Sequence, residues 1–327
     1  MTTALACLLA ISSPAQEVAK LGLVVGAGGV EAKPGAAEDF KPLAAGAGVA
    51  AGTWIRTPAG VRAAFEFPDG TELRVNEGTE FLLAEARKVE LRKGRLYARI
   101  AKGTPFLVKT EFAPVTSESG EFDVQHLPPP KPGIQSLTTV SVFEGTAEVR
   151  SRRYGQKVTG GYACNVVGPQ MNTPDRIAEA ALDTLWVHAI LRERGQAGPE
   201  ADWRARDMLR QLSFQARDDP YEPAFRALGD LGVPVLGEYL GFAPVPIEAA
   251  RRAAAARIVG DVATLKSAPL LLALLGNAEA EVRVQAARAL SRIAGKDLGF
   301  PESYWRDESR ADGRKAWEGW VKENPAK

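Results

Sequence analysis

Ala63-Ala64-Phe65-Glu66-Phe67-Pro68-Asp69-Gly70-Thr71-Glu72-Leu73-Arg74-Val75 holds the pattern that decides the fold of the longer stretch Gly52–Gly145. Two short alternating segments flank a Pro-Asp-Gly-Thr turn. The same grammar repeats on both sides. Turn signals stand at Pro58-Ala59-Gly60, Glu77-Gly78-Thr79, Arg92-Lys93-Gly94, Lys102-Gly103-Thr104-Pro105, Glu118-Ser119-Gly120 and Glu144-Gly145-Thr146. Between them run Lys88–Leu91, Arg95–Ile100 and Thr139–Phe143, alternating apolar and polar residues. Period-2 alternation punctuated every 8–12 residues or so predicts an all-β domain.

Upstream, Leu21–Val25 and Gly28–Ala32 read as the first strands, joined by a Gly-rich hairpin turn at Gly26–Gly29. A phosphate-binding loop would need those glycines to open a helix, and Val30, Pro34 and Gly35 follow instead. Downstream, Gly161–Val167 reads as the last strand. The segment His126-Leu127-Pro128-Pro129-Pro130-Lys131-Pro132-Gly133 cannot join a ladder, because proline lacks the N–H; it predicts a stiff, exposed excursion.

Beyond Gly168-Pro169 the period changes. Thr173 and Pro174 predict a helix start, followed by Ile177, Ala181, Leu185, His188 and Ala189 at helical spacing. A second helix is expected over 200–217, and shorter ones over 221–229 and 233–240. Ala253–Gly260 resembles Ala287–Gly295, with Arg-Ile-x-Gly ends 35 residues apart. Repeated helix pairs of this kind predict a stacked α-solenoid. Trp317 and Trp320, three apart on one helix face, predict an end cap.

The fold class expected is therefore multi-domain, β then α. The expected parts are a signal peptide over 1–15, an all-β domain over 16–168, a linker and helical hairpin over 169–217, and an α-solenoid with its cap over 218–327. The β domain is expected to be solenoid-like or a twisted sheet. The signal peptide rests on the apolar run Ala4–Ile11 before Ser13-Pro14-Ala15, although no Lys or Arg precedes the run. It implies a periplasmic or secreted protein. No apolar run reaches the roughly 20 residues a transmembrane helix needs.

With 41 basic and 40 acidic residues, the sequence offers no basic stripe for a nucleic acid. Two cysteines and two histidines leave no metal spacing and little room for a Ser-His-Asp arrangement. Cys164 and His188 read as core residues. Glu66, Asp69, Glu72 and Glu77 read as solvated strand and turn residues rather than a catalytic pair. No catalytic, cofactor-binding or metal-ligating residue is expected, nor any cofactor. The chain reads as non-enzymatic. A ligand sensor with a pocket between the domains, or a cell-wall or glycan-acting enzyme, is the alternative.

Residues 20–168 resemble the FecR-type domain. The resemblance rests on Ile55-Arg56-Thr57, Asp69-Gly70-Thr71, Leu91 with Gly94 and Tyr97, Pro105-Phe106 with Val108 and Thr110, Gly120 with Phe122 and Val124, and Val142 with Glu144-Gly145. Glu121 stands where Thr is usual, and the Pro-rich loop is an addition. The resemblance implies an all-β envelope module, without catalytic residues, that binds protein or cell-wall partners. The membrane and anti-sigma parts of such regulators do not carry over to this sequence. The helical half resembles HEAT-type repeats, which imply a surface for protein partners.

Overall fold

The computed structural model describes residues 16–36, 38–101, 103, 105–195, 198–212, 219–242, 248–307 and 310–326. The expected signal peptide, 1–15, lies outside the described residues, as does the end of the helix expected over 200–217. The chain divides into two compact units between Arg176 and Ile177.

The first unit is built of strands. They are β1 (Glu17–Val25), β2 (Val30–Lys33), β3 (Lys41–Leu43), β4 (Gly48–Ala50), β5 (Thr53–Arg56), β6 (Arg62–Glu66), β7 (Glu72–Val75) and β8 (Glu80–Glu85). They continue as β9 (Lys88–Ile100), β10 (Phe106–Lys109), β11 (Pro114–Leu127), β12 (Leu137–Arg150), β13 (Gly155–Thr159), β14 (Tyr162–Val167), β15 (Gln170–Met171) and β16 (Asp175–Arg176). All belong to one hydrogen-bonded sheet that does not close on itself, with main order β15-β14-β12-β11-β10-β9-β7-β6-β1-β4.

Three of the expected turns are corners inside long strands. Gly94, Gly120 and Gly145 take φ values of 97°, 103° and 77°, yet β9, β11 and β12 run on through them. Each strand changes partner at its glycine. β9 pairs with β8 and β10 before Gly94, and with β7 and β11 from there on. β11 leaves β10 after Ser117 and joins β9 from Gly120. β12 pairs with β14 over 137–142 and with β13 over 146–150. A left-handed glycine lets a strand bend and continue, as it does at a bulge. Gly120 and Gly145 face each other in register. A Cβ on Gly120 would lie 2.2 Å from the Glu144 carbonyl oxygen, so the two strands cross where only glycine fits.

These bends let the sheet enclose its own apolar face. Leu73, Val75, Phe81, Leu83, Val89, Leu96, Phe122, Val124, Val140 and Val142 form one buried cluster. Phe65 meets Phe81 edge-to-face at 5.8 Å, and Phe67 meets Phe106 at 5.3 Å, the arrangement favoured by aromatic quadrupoles. Free Cys164 is buried here, and burial pushes its thiol up to about 11.

Two local expectations change. Gly26–Gly29 does not close a hairpin: β1 pairs with β4 and β6, whereas β2 pairs with β3 and β5. The sheet also runs past residue 168, because β15 and β16 both pair with β14. Thr173 and Pro174 therefore connect two short strands rather than start a helix.

The second unit is helical: α1 (Ala180–Asp183), α2 (Leu185–Arg194), α3 (Pro199–Gln211), α4 (Tyr221–Leu228), α5 (Val233–Gly241), α6 (Ala249–Val262), α7 (Ala268–Leu274), α8 (Ala280–Ala294) and α9 (Ala311–Glu323). Leu185 is exposed, and Trp186, Val187, Ile190 and Leu191 form the buried face of α2 instead. The pairs α5/α6 and α7/α8 share a plan. Each first helix carries a proline in its first turn, Pro234 or Pro269, where the missing N–H has no intrahelical acceptor. Each second helix carries a buried arginine that takes up carbonyls at or just beyond the end of the first. Arg252 donates to Tyr239 O and Leu240 O, both at 2.9 Å. Arg283 donates to Asn277 O at 3.0 Å and Ala278 O at 2.8 Å, and to Trp305 O at 2.9 Å. These arginines add buried donors to carbonyls near the helix ends, where Asn277 Nδ2 also serves Leu240 O at 2.8 Å and Arg310 also serves Asn277 O at 3.1 Å. Helix α9 packs on α7, with Trp317 buried and its ring 5.7 Å from Trp320.

Candidate functional site

In the β unit, a cleft of about 450 Å³ opens where β5, β9, β10 and the end of β11 approach one another. Trp54 comes from β5, and Glu90 and Arg92 from β9. Lys109 ends β10, Glu111 follows it, and His126 lies near the end of β11. Pro128, the first residue of the Pro-rich excursion, forms part of the rim. That excursion is exposed throughout 128–135.

The walls are polar and paired. The Arg92 guanidinium stands 4.5 Å from the Trp54 ring centroid, within cation–π range. Lys109 Nζ lies 3.2 Å from Glu90 Oε1. His126, 2% exposed, is held by a chain of hydroxyls. Its Nδ1 lies 2.9 Å from Thr138 Oγ1, which lies 3.1 Å from Thr110 Oγ1, which in turn donates to Ala113 O at 3.2 Å. Each hydroxyl has one proton, and the terminal carbonyl only accepts. The chain is fully satisfied when Nδ1–H donates to Thr138 and Thr138 donates to Thr110. Neutral His126 then presents Nε2 as an acceptor. Burial lowers its pKa, partly opposed by the Glu111 carboxylate, so the neutral form holds at pH 7.

The acidic residues noted in the sequence do not converge. Glu66 is exposed, its carboxylate lying over Gly22. Asp69 accepts from Thr71 N at 3.0 Å and shapes its turn. Glu77 pairs with Arg62 and accepts from Gly60 N at 2.6 Å. Glu72 departs from the expected solvated face: it is buried, 2.5 Å from Arg74 Nε. Around that pair, Tyr97 donates to Glu121 at 2.5 Å, and Arg95 binds both oxygens of Asp123 at 2.8 and 2.9 Å. Alternation correctly placed Glu72 on the face opposite the core, but that face is a buried ionic layer. A charge buried this way requires a partner, and each has one. Among the described residues no three His, Cys, Asp or Glu side chains group as metal ligands. No described helix is long and apolar enough to cross a membrane.

Every residue of the cleft falls within one segment that has relatives. Residues 53–148 match the FecR protein family. The match is narrower than the 20–168 resemblance, although β1 and β14 continue the same sheet on either side. Two crystal structures of a candidate anti-sigma factor from Parabacteroides distasonis are also similar, at 22% and 23% identity with TM-scores of 0.35. The alignments cover 41% of this chain and 64% of those chains. No curated protein matches the chain.

His188, the other histidine, lies in the helical unit, away from the lining of this cleft. It is fully buried on α2, its Nδ1 3.3 Å from Ala224 O, and among the described residues its Nε2 has no hydrogen-bond partner. The cleft itself escaped the sequence reading. Its members are scattered from Trp54 to Pro128, and only strand pairing across β5, β8 and β9 brings the two ends together.

Proposed function

We propose that this protein is a non-enzymatic interaction protein of the bacterial envelope, periplasmic or secreted, whose FecR segment engages a partner protein through the Trp54–His126 cleft. The observation that carries this reading is that the cleft lies wholly within residues 53–148, the segment that matches the FecR family. The arrangement suits recognition better than catalysis. Glu90 is held by Lys109, Arg92 lies over Trp54, and His126 is fixed by a hydroxyl chain. An aromatic ring beside a guanidinium, with an imidazole acceptor, is the kind of anchor found at interface hot spots.

The helical unit is read as HEAT-like repeats. The recurrence of the first-turn proline and the buried capping arginine in α5/α6 and α7/α8 supports this reading. Stacked repeats of that type commonly offer extended protein-binding surfaces.

The test places a photo-crosslinking residue at Lys109 in the intact chain, expressed in its native envelope. One defined envelope protein should cross-link, and Trp54→Ala should abolish the product while leaving the β unit folded. A product unchanged by Trp54→Ala, or one mapping only outside the cleft, overturns the proposal. Recovery of the protein solely from the cytoplasm overturns the envelope assignment.

A further inference from the structure

The helical unit holds a second and larger cleft, of about 760 Å³, where α2, α4 and α6 end side by side. That volume is in the usual range for a small-molecule site, roughly 300–1,000 Å³. Leu231, Val262 and Leu265 line it with apolar surface. The charged groups divide sharply. Asp230 is used by Thr264 N at 2.8 Å and Ser267 Oγ at 2.5 Å. Asp261 is used by Arg226 at 2.9 Å. Among the described residues, Arg192 and Lys266 have no carboxylate or hydrogen-bond partner for their side chains.

The two free cations are held over glycines. The Arg192 stem lies against Gly229, whose added Cβ would meet its Cδ at 3.1 Å. Lys266 Nζ stands 3.9 Å from the Cβ position of Gly195. Both glycines are left-handed helix ends, with φ of 68° and 61°. Helix C-termini carry partial negative charge, which would oppose an anion. Here some of those carbonyls are already taken up. Arg292 takes Gly260 O at 3.2 Å and Ala263 O at 2.6 Å at the end of α6. Gly195 N and Gly229 N close the ends of α2 and α4 on Arg192 O and Phe225 O. With Arg226 set against Asp261, the charges left in the lining are Arg192 and Lys266 against the Asp230 carboxylate, a net positive charge.

We infer that this cleft binds a small organic anion: a carboxylate or phosphate head between Arg192 and Lys266, with an aliphatic body on Leu231, Val262 and Leu265. The site is independent of the FecR segment.

The test is calorimetric titration of the full chain with octanoate, octyl phosphate, octanol and octylammonium. At least one of the two anions should bind, with octanol weaker by about tenfold or more, the usual cost of losing a hydrogen bond to a charged group. Lys266→Ala and Arg192→Ala should each weaken the anion by about tenfold, while Lys266→Arg retains it. Both side chains are exposed, and the helical signal at 222 nm should be unchanged in each variant. A preference for octanoate or octyl phosphate assigns the head group. Equal binding of octanol and octanoate, preference for octylammonium, indifference to both alanine variants, or no heat with either anion overturns the inference.

Discussion

Acid should unfold the helical unit through His188. Its imidazole is fully buried, and its pKa is lowered to about 3, first by burial and then by the nearby Arg204 guanidinium. In the unfolded chain it would titrate near 6.5. The folded value is the depressed one, so the stabilising effect is complete above about pH 6.5 and is lost as pH falls toward 3. Each pH unit in that window costs about 1.4 kcal/mol, so acidification from pH 6.5 to 5 should remove about 2 kcal/mol. Over the whole span the loss is about 5 kcal/mol, but carboxylates also titrate below pH 5. The upper window is clean because the chain has only two histidines, and His126 lies in the β unit. Urea unfolding followed at 222 nm reports the helical unit, which contains all the described helices. His188→Leu removes the titration and also the partnerless Nε2, so the variant should lose the slope between pH 6.5 and 5 without loss of stability at pH 7.5. A wild-type protein equally stable at both pH values, or a leucine variant that keeps the 2 kcal/mol slope, would refute the burial argument.

Two further predictions concern the scaffold. Gly120→Ala forces a side chain into φ +103° and against the Glu144 carbonyl, so the β unit should lose about 3 kcal/mol or more. Gly46→Ala meets nothing within 4 Å at φ +85° and should cost only about 1 kcal/mol of backbone strain; urea midpoints of the two variants compare them directly. Arg283→Met removes the buried donor from Ala278 O and Trp305 O, and should destabilise the helical unit by about 3 kcal/mol or more. Arg306→Met breaks only a 3.9 Å pair at the surface and should cost less than about 1 kcal/mol, a contrast that melting temperatures would resolve.

The strands were legible because alternation is a property of neighbours in sequence. The segments expected at 63–67, 72–75 and 95–100 fall on β6 (Arg62–Glu66), β7 and β9, with Phe65, Leu73 and Leu96 inward. What alternation does not carry is the difference between a turn and a corner. Gly60, Gly70 and Gly78 adopt the same positive φ as Gly94, Gly120 and Gly145. The first three end strands; the last three bend them. The choice depends on whether another strand waits to pair beyond the glycine, which is a non-local fact. The Trp54–His126 cleft was hidden for the same reason.

The two units solve the problem of buried backbone differently, and this explains where each can carry a site. In the β unit the ladder itself satisfies the backbone, so polar side chains such as His126, Thr138 and Thr110 are free to build a directed hydroxyl chain beside a cleft. In the helical unit helix ends leave carbonyls over, and long cations are spent on several of them: Arg252 on α5, Arg283 after α7, Arg292 on α6. Among the described residues, some cations near helix ends take up no carbonyl. Arg192 and Lys266 are such cations, beside helix ends already closed by Gly195, Gly229 and Arg292. Among the described residues no carboxylate or carbonyl takes up either side chain, and the anion inferred for the larger cleft would.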